Sequence, residues 1–374
     1  MTHRIPAAAA LVAGSALALA LTGCASPEAP AAEGLSIVAT TTQVADFTQQ
    51  IAGDAAQVTS LIQPNQSSHS FDPTAADLAA LATADVLVIN GAGLEEWLEN
   101  AVEASGFSGT TIDASSGVAL REFDDDHAHD DDDHADDHAH DDHSHDDHAH
   151  DDHSHDDHAH DDHADDHAHD DDDHSDEHDH AHEGDDPHIW TSVGNAIAMV
   201  EAIAAGLADV DAESAEAFDA NAQAYIAQLE ALDAWIIENI EQIDPSERLL
   251  VTNHEAFGYF VDAYDVTYVG AVIPSFDDNA EVSAADIDAL VSAIRSSGAT
   301  AVFSETTLSP AAAETIAAEA RVDVFSGSDG LYGDSLGPVG STGETYIGSM
   351  IHNVTVLVQA WGGSVTPVPA ELSQ

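Results

Sequence analysis

Lysine is missing from this chain altogether and arginine nearly so: 374 residues carry five basic side chains, all arginine, against 72 acids, for a formal net charge of -67. A surface this negative repels nucleic acid, which removes that class of partner. Cysteine is scarcer still. Cys24 is the single example, so the chain forms no internal disulfide and no thiolate metal site. Any metal must be held by histidine and carboxylate. Long apolar runs are absent as well: the stretch from Ala7 to Leu21 is short for a membrane span, and no later segment approaches the ~20 residues a span needs.

What is present begins with Arg4, the apolar run and the tetrapeptide "LTGC", the layout of a secretory signal ending in a lipoprotein cleavage box. This reading assigns residues 1–23 to a signal peptide and makes Cys24 the lipidated first residue of the mature chain, with 24–34 a small-residue and proline tether. The fold starts at Leu35. Four strand-like runs ("SIVAT", "QVTSLI", "DVLVIN", "TTID") alternate with helical stretches near 43–52, 74–82 and 94–105, the pattern of a parallel sheet covered by helices. From Arg248 the pattern recurs with "RLLVTN", "VTYVGAV", "TAVFSE" and "VDVFS". Between them, Phe218, Tyr225, Leu229, Leu232, Ile236 and Ile240 recur at helical spacing with no Gly or Pro inside, which predicts one rigid amphipathic helix. The expected architecture is therefore α/β: a lobe over 35–213, a linking helix over 214–243 and a second, similar lobe over 244–374, each lobe with a four-stranded, mostly parallel sheet. A stiff brace of this kind opposes large hinge closure.

Within the first lobe, 122–186 holds a His/Asp-rich stretch whose core, Asp124 to His182, repeats units such as "DDHSH". It has almost no apolar side chain larger than alanine, so it cannot bury enough surface to offset chain entropy, and a disordered insertion is expected. Its imidazoles and carboxylates suit borderline dications, each site being weak and exchangeable.

Outside the repeat five histidines remain, and His3 leaves with the signal. His69 lies in "NQSSHSFDPTAAD", His188 in "DDPHIWTSV" and His254 in "VTNHEAFGYF", while Asp334 sits in the glycine-rich "LYGDSLGPVG". Three of these four follow strand ends, where open α/β sheets place ligands. Three imidazoles and a carboxylate also satisfy zinc's preference for four N and O donors. His352 is expected to be structural. A hydrolase is disfavoured: "NHEAFG" begins like a metalloprotease helix, but the position four residues after His254 is Gly258, and no phosphate loop is present.

Taken together, "HSFDPTAAD", "DPHIWTSV", "NHEAFGYF" and "DSLGPVG" followed by "ETYIGSMIHN" resemble the solute-binding lipoproteins of zinc and manganese ABC importers, over about Leu35 to Gly362. The resemblance implies two four-stranded lobes joined by one long helix, metal in the interlobe cleft, His69, His188 and His254 as imidazole ligands, and Asp334 as the carboxylate. It implies zinc, because the manganese branch looks to carry a carboxylate where this chain has His254. It also implies a monomer outside the cytoplasmic membrane, lipid-anchored, with a permease and a cytoplasmic ATPase as partners and no enzymatic activity. Manganese binding, or zinc storage by the repeat, is the alternative. Ser67 and Ser68 replace the usual aspartate and proline before the first histidine. Glu255 and Glu305 are expected as outer partners.

Overall fold

The computed structural model describes residues 34–121 and 184–372. The signal, Cys24, most of the tether and nearly all of the His/Asp insertion lie outside the described residues. Gly184 to Asp186, expected inside the disordered insertion, are described, and Asp186 is fully buried.

The first lobe runs β1 (Leu35–Ala39), α1 (Thr42–Ala52), β2 (Ala56–Ser60), α2 (Ala75–Thr83), β3 (Val86–Ile89), α3 (Leu98–Ser105) and β4 (Thr110–Asp113). Its four strands pair in parallel in the order β2-β1-β3-β4. The central strand β3 is apolar throughout, as a parallel strand covered on both faces requires. Thr41 caps α1 by accepting from the Val44 amide, and α1 then buries Val44, Phe47 and Ile51 at helical spacing. A capping box of Thr74 and Asp77 starts α2.

After the insertion come α4 (Val193–Val210) and α5 (Ala215–Ile240). The latter is the linking helix expected over 214–243; its 26 residues span about 39 Å at ~1.5 Å per residue. The expectation that no later segment comes near membrane-span length needs correcting, because α4 has 18 residues of mean hydropathy 1.5 and passes that test by length and composition. Its apolar side, Met199, Val200, Ile203 and Leu207, is buried in the first lobe's core, packed on α5, β4 and α1.

The second lobe runs β5 (Leu249–His254), α6 (Gly258–Tyr264), β6 (Thr267–Ile273), α7 (Ala284–Ser297), β7 (Ala301–Phe303), α8 (Ala311–Ala320), β8 (Asp323–Phe325) and α9 (Tyr346–Ala360). The four expected strands form two parallel pairs, β5-β6 and β7-β8, that abut where β5 runs beside β7. One continuous apolar core joins the lobes. Ile37 and Phe47 from the first, Phe218 and Leu229 from α5, and Leu250 and Leu357 from the second belong to the same buried cluster. The α/β class, the parallel sheets and the long linking helix are as the sequence predicted.

Candidate metal centre

Each of the four predicted ligands is placed by a local device that the sequence supplies. Before His69 the chain turns at Asn65, in the left-handed region at φ 63°. Ser67 Oγ then accepts from the His69 amide at 3.1 Å, and Trp97 Nε1 donates to the Ser68 carbonyl at 3.2 Å. Ser67 thus builds a side-chain turn of its own, and the Ser68 backbone is pinned by Trp97.

His188 follows Asp186 and Pro187. Asp186 Oδ1 accepts from the His188 amide at 3.0 Å and lies 2.9 Å from its Nδ1, while the Pro187 carbonyl is tied to Asn90 at the end of β3. His254 is the last residue of β5 itself, one position earlier relative to the strand end than expected; Glu305 Oε1 lies 2.8 Å from its Nδ1. Asp334 sits in the loop after β8, and that loop is gripped from the other lobe. Gln43 Nε2 and Trp190 Nε1 both donate to the Gly333 carbonyl, and Asn65 N donates to Ser335 Oγ. Gly333 admits no side chain, since a Cβ there would collide with the Glu305 carboxylate.

These placements bring all four side chains together, with one donor atom from each inside 4.8 Å of the others. His69 Nε2 lies 3.1 Å from His188 Nε2, which lies 3.3 Å from His254 Nε2. Asp334 Oδ1 stands 3.2, 3.5 and 3.9 Å from the Nε2 atoms of His254, His188 and His69. A tetrahedral ion with arms of ~2.0–2.1 Å has edges of about 3.3–3.4 Å, so the spacing suits such a centre. The partners suit it too. With Nδ1 of His188 and His254 each held to a carboxylate, both Nε2 lone pairs face inward, an arrangement that costs energy unless a cation or proton lies between them. Both oxygens of Asp334, a fully buried residue, lack a hydrogen-bond donor, and burying a carboxylate in that condition is costly without a positive charge beside it.

Proton affinities follow from the same geometry. Burial lowers His69 to about 4, with repulsion from His188 and His254 adding to it against the pull of Asp334. Burial also acts to lower His188 and His254, but carboxylates win: Asp186 and Asp334 raise His188, and Glu305 and Asp334 raise His254 well above the ordinary imidazole value. Against burial, which would raise it, His254 and His188 hold Asp334 well below the usual carboxylate range.

Of the two acids expected as outer partners, Glu305 touches His254, while Glu255 lies beside Tyr268, whose hydroxyl is pushed up first by burial and then by that charge. Asp186 is an outer partner the sequence reading missed. Its signal was its place two residues before His188, an Asx turn in waiting, hidden at the end of an acidic run. His352 is structural, as expected: its Nε2 lies 3.0 Å from the Gly330 carbonyl and its ring packs against Tyr332, anchoring the Asp334 loop to α9.

Residues 37–360 match the family model described as zinc-uptake complex component A, periplasmic. Among curated relatives, the chain is 28% identical over 345 residues to the manganese-binding lipoprotein MntA of Halalkalibacterium halodurans, covering 91% of this chain and 94% of that one. It is likewise 28% identical over 371 residues to the zinc-binding lipoprotein AdcA of Streptococcus pneumoniae, covering 96% of this chain and 63% of that longer protein. In shape it resembles the periplasmic zinc binding protein TroA from Treponema pallidum, with a TM-score of 0.67 at 22% identity, over 88% of this chain and 99% of that one.

Proposed function

Given that this chain belongs to the zinc-uptake complex component A family, whose members are solute-binding proteins and not enzymes, we propose that it captures Zn²⁺ outside the cytoplasmic membrane and delivers it to the permease of a metal ABC importer. His69, His188, His254 and Asp334 are the ligands. The observation that carries this reading is the fully buried Asp334 carboxylate, without a hydrogen-bond donor, facing three imidazole Nε2 atoms at 3.2 to 3.9 Å.

The choice of zinc rests on donor chemistry. Imidazole suits zinc, whereas manganese favours sites rich in carboxylate and carbonyl oxygen, and this cluster offers three nitrogens to one carboxylate. Manganese is the second reading, favoured by the similarity to MntA over nearly the whole of both chains.

In the mechanism, the buried cleft supplies a preorganised set of donors, and Asp186 and Glu305 fix the two ring orientations. His69, at 10% side-chain exposure the least buried of the four, is the first donor that an incoming ion meets. Cys24 anchors the chain by lipid, residues 24–34 act as a tether, and the His/Asp repeat gathers metal at the surface and passes it inward, aided by the acidic field. Docking on the permease, driven by its ATPase, releases the ion.

The test is a competitive titration with Zn²⁺ and with Mn²⁺ against a chromophoric chelator, using the chain from residue 25 onward with and without residues 124–182. One tight zinc site that survives the deletion and weakens about 100-fold or more in His188→Ala supports the reading, since losing one of four ligands forfeits a large part of the binding free energy. A tight site for Mn²⁺ alone transfers it to the second reading. Capacity that disappears with the repeat makes the chain a buffer.

A further inference from the structure

The two ends of the His/Asp insertion meet at a polar clasp that reaches the metal cluster. The Asp186 amide donates to the Arg121 carbonyl at 2.8 Å. The Tyr259 hydroxyl, from α6 of the second lobe, accepts from the Arg121 amide at 2.9 Å and donates to the Asp186 carbonyl at 3.0 Å, so one phenol binds both ends of the insertion. The Arg121 guanidinium extends over the same helix. Its Nε donates to Asp262 at 3.1 Å, and its NH1 stands 3.7 Å from Asp186 Oδ2. Gly258 makes room for this, because a Cβ there would come within 2.5 Å of Asp186 Oδ2 and 2.6 Å of Arg121 NH1.

Charge explains why the clasp matters. Asp186 is fully buried; Oδ1 is spent on His188, and Oδ2 has no hydrogen-bond donor among the described residues. A carboxylate buried in that state needs a countercharge. Three carboxylates touch the histidines, Asp186, Glu305 and Asp334. A bound dication balances two of them, and the third, Asp186, faces the guanidinium of Arg121, which it shares with the exposed Asp262. In a chain with five basic side chains, one is stationed here.

Resting on the metal-binding reading above, we propose that Arg121 is a positioning residue for metal capture: without touching the ion, it holds the Asp186 carboxylate that aims His188, and it couples the stem of the acidic insertion to the second lobe.

The experiment uses the full mature chain, with Zn²⁺ and Mn²⁺ each titrated against a chelator strong enough to mask weak sites in the repeat. Arg121→Gln is expected to weaken the tight site about tenfold, the lower end for loss of an outer partner, through faster dissociation, with Arg121→Lys recovering part of the loss. Arg295→Gln removes an equal charge far from the site and is expected to leave affinity unchanged, which separates the local clasp from the overall field. Long-range imidazole NMR of the metal-free chain supplies a readout that general destabilisation does not move. In Arg121→Gln the His188 Nδ1 proton shifts while that of His254, held by Glu305, stays. Parental affinity in Arg121→Gln, or equal shifts at both rings, overturns the clasp alone. A parent chain with no tight site for either ion overturns the metal reading and the clasp with it.

Discussion

Three imidazoles and a carboxylate packed this closely differ in proton affinity before any metal arrives. His69, lowered to about 4, is free of its proton at neutral pH, whereas His188 and His254 hold theirs above the ordinary imidazole value of ~6.5. Metal therefore competes with protons more strongly at the last two than at His69. Calorimetric zinc titrations at pH 7 in two buffers of different ionisation enthalpy should detect net proton release, and affinity should begin to fall on acidification above pH ~6.5. Buffer-independent heats at pH 7 would contradict the assignment. For the metal-free chain the sign is opposite. A raised imidazole contributes stability that is complete below the unfolded value of ~6.5 and is lost as pH rises through the folded value, so the metal-free melting temperature should decline as pH rises above ~6.5, where the opposite contribution of the lowered His69 is already complete. Asp334 is depressed, and its contribution vanishes only in acid below the usual carboxylate range, outside that window. At the same scale, Glu305→Gln should weaken zinc binding by about 10- to 100-fold while the chain stays folded, because an amide orients His254 less firmly than a carboxylate does. The ligands themselves were legible because histidines outside the repeat are few. Asp186 was not, since one acid among 72 carries no compositional signal.

Among the elements, α5 ties the molecule together. It buries Phe218, Tyr225, Leu229, Leu232 and Ile236 along one side, and these residues belong to the core shared by both lobes. Ala227→Pro in its interior removes a helix hydrogen bond and should cost about 3 kcal/mol or more, lowering the melting of both lobes together, as read by calorimetry. By contrast, Ser283→Ala deletes the capping box of α7, far from the histidines, and should cost about 1 kcal/mol while leaving metal affinity alone. Helix spacing was readable for α5 because its apolar positions are wide apart in a polar context. It was weaker for α4, where alanine, isoleucine and valine fill several faces. The break of the second sheet into two pairs was invisible for a different reason: strand runs such as "AVF" and "DVF" say nothing about which neighbour completes the ladder.

For the whole molecule, the decisive feature is one large buried cluster shared by both lobes, beside which each lobe holds a smaller cluster of its own. Ile37, Phe218 and Leu357 lie in one buried cluster, so thermal unfolding should show a single transition, and zinc should raise its midpoint without splitting it. The placement of Asp334 against the first lobe, through Gln43, Asn65 and Trp190, depends on this shared interior and had no counterpart in local sequence pattern. That shared core makes the abundance of the protein answerable to its own cargo. Once free metal exceeds Kd, each further tenfold adds about 1.4 kcal/mol against unfolding of the entire chain, and each tenfold decline removes it. Envelope proteases, which cut what is transiently unfolded, would then clear empty copies faster than filled ones, so that turnover in the cell keeps a running account of metal supply.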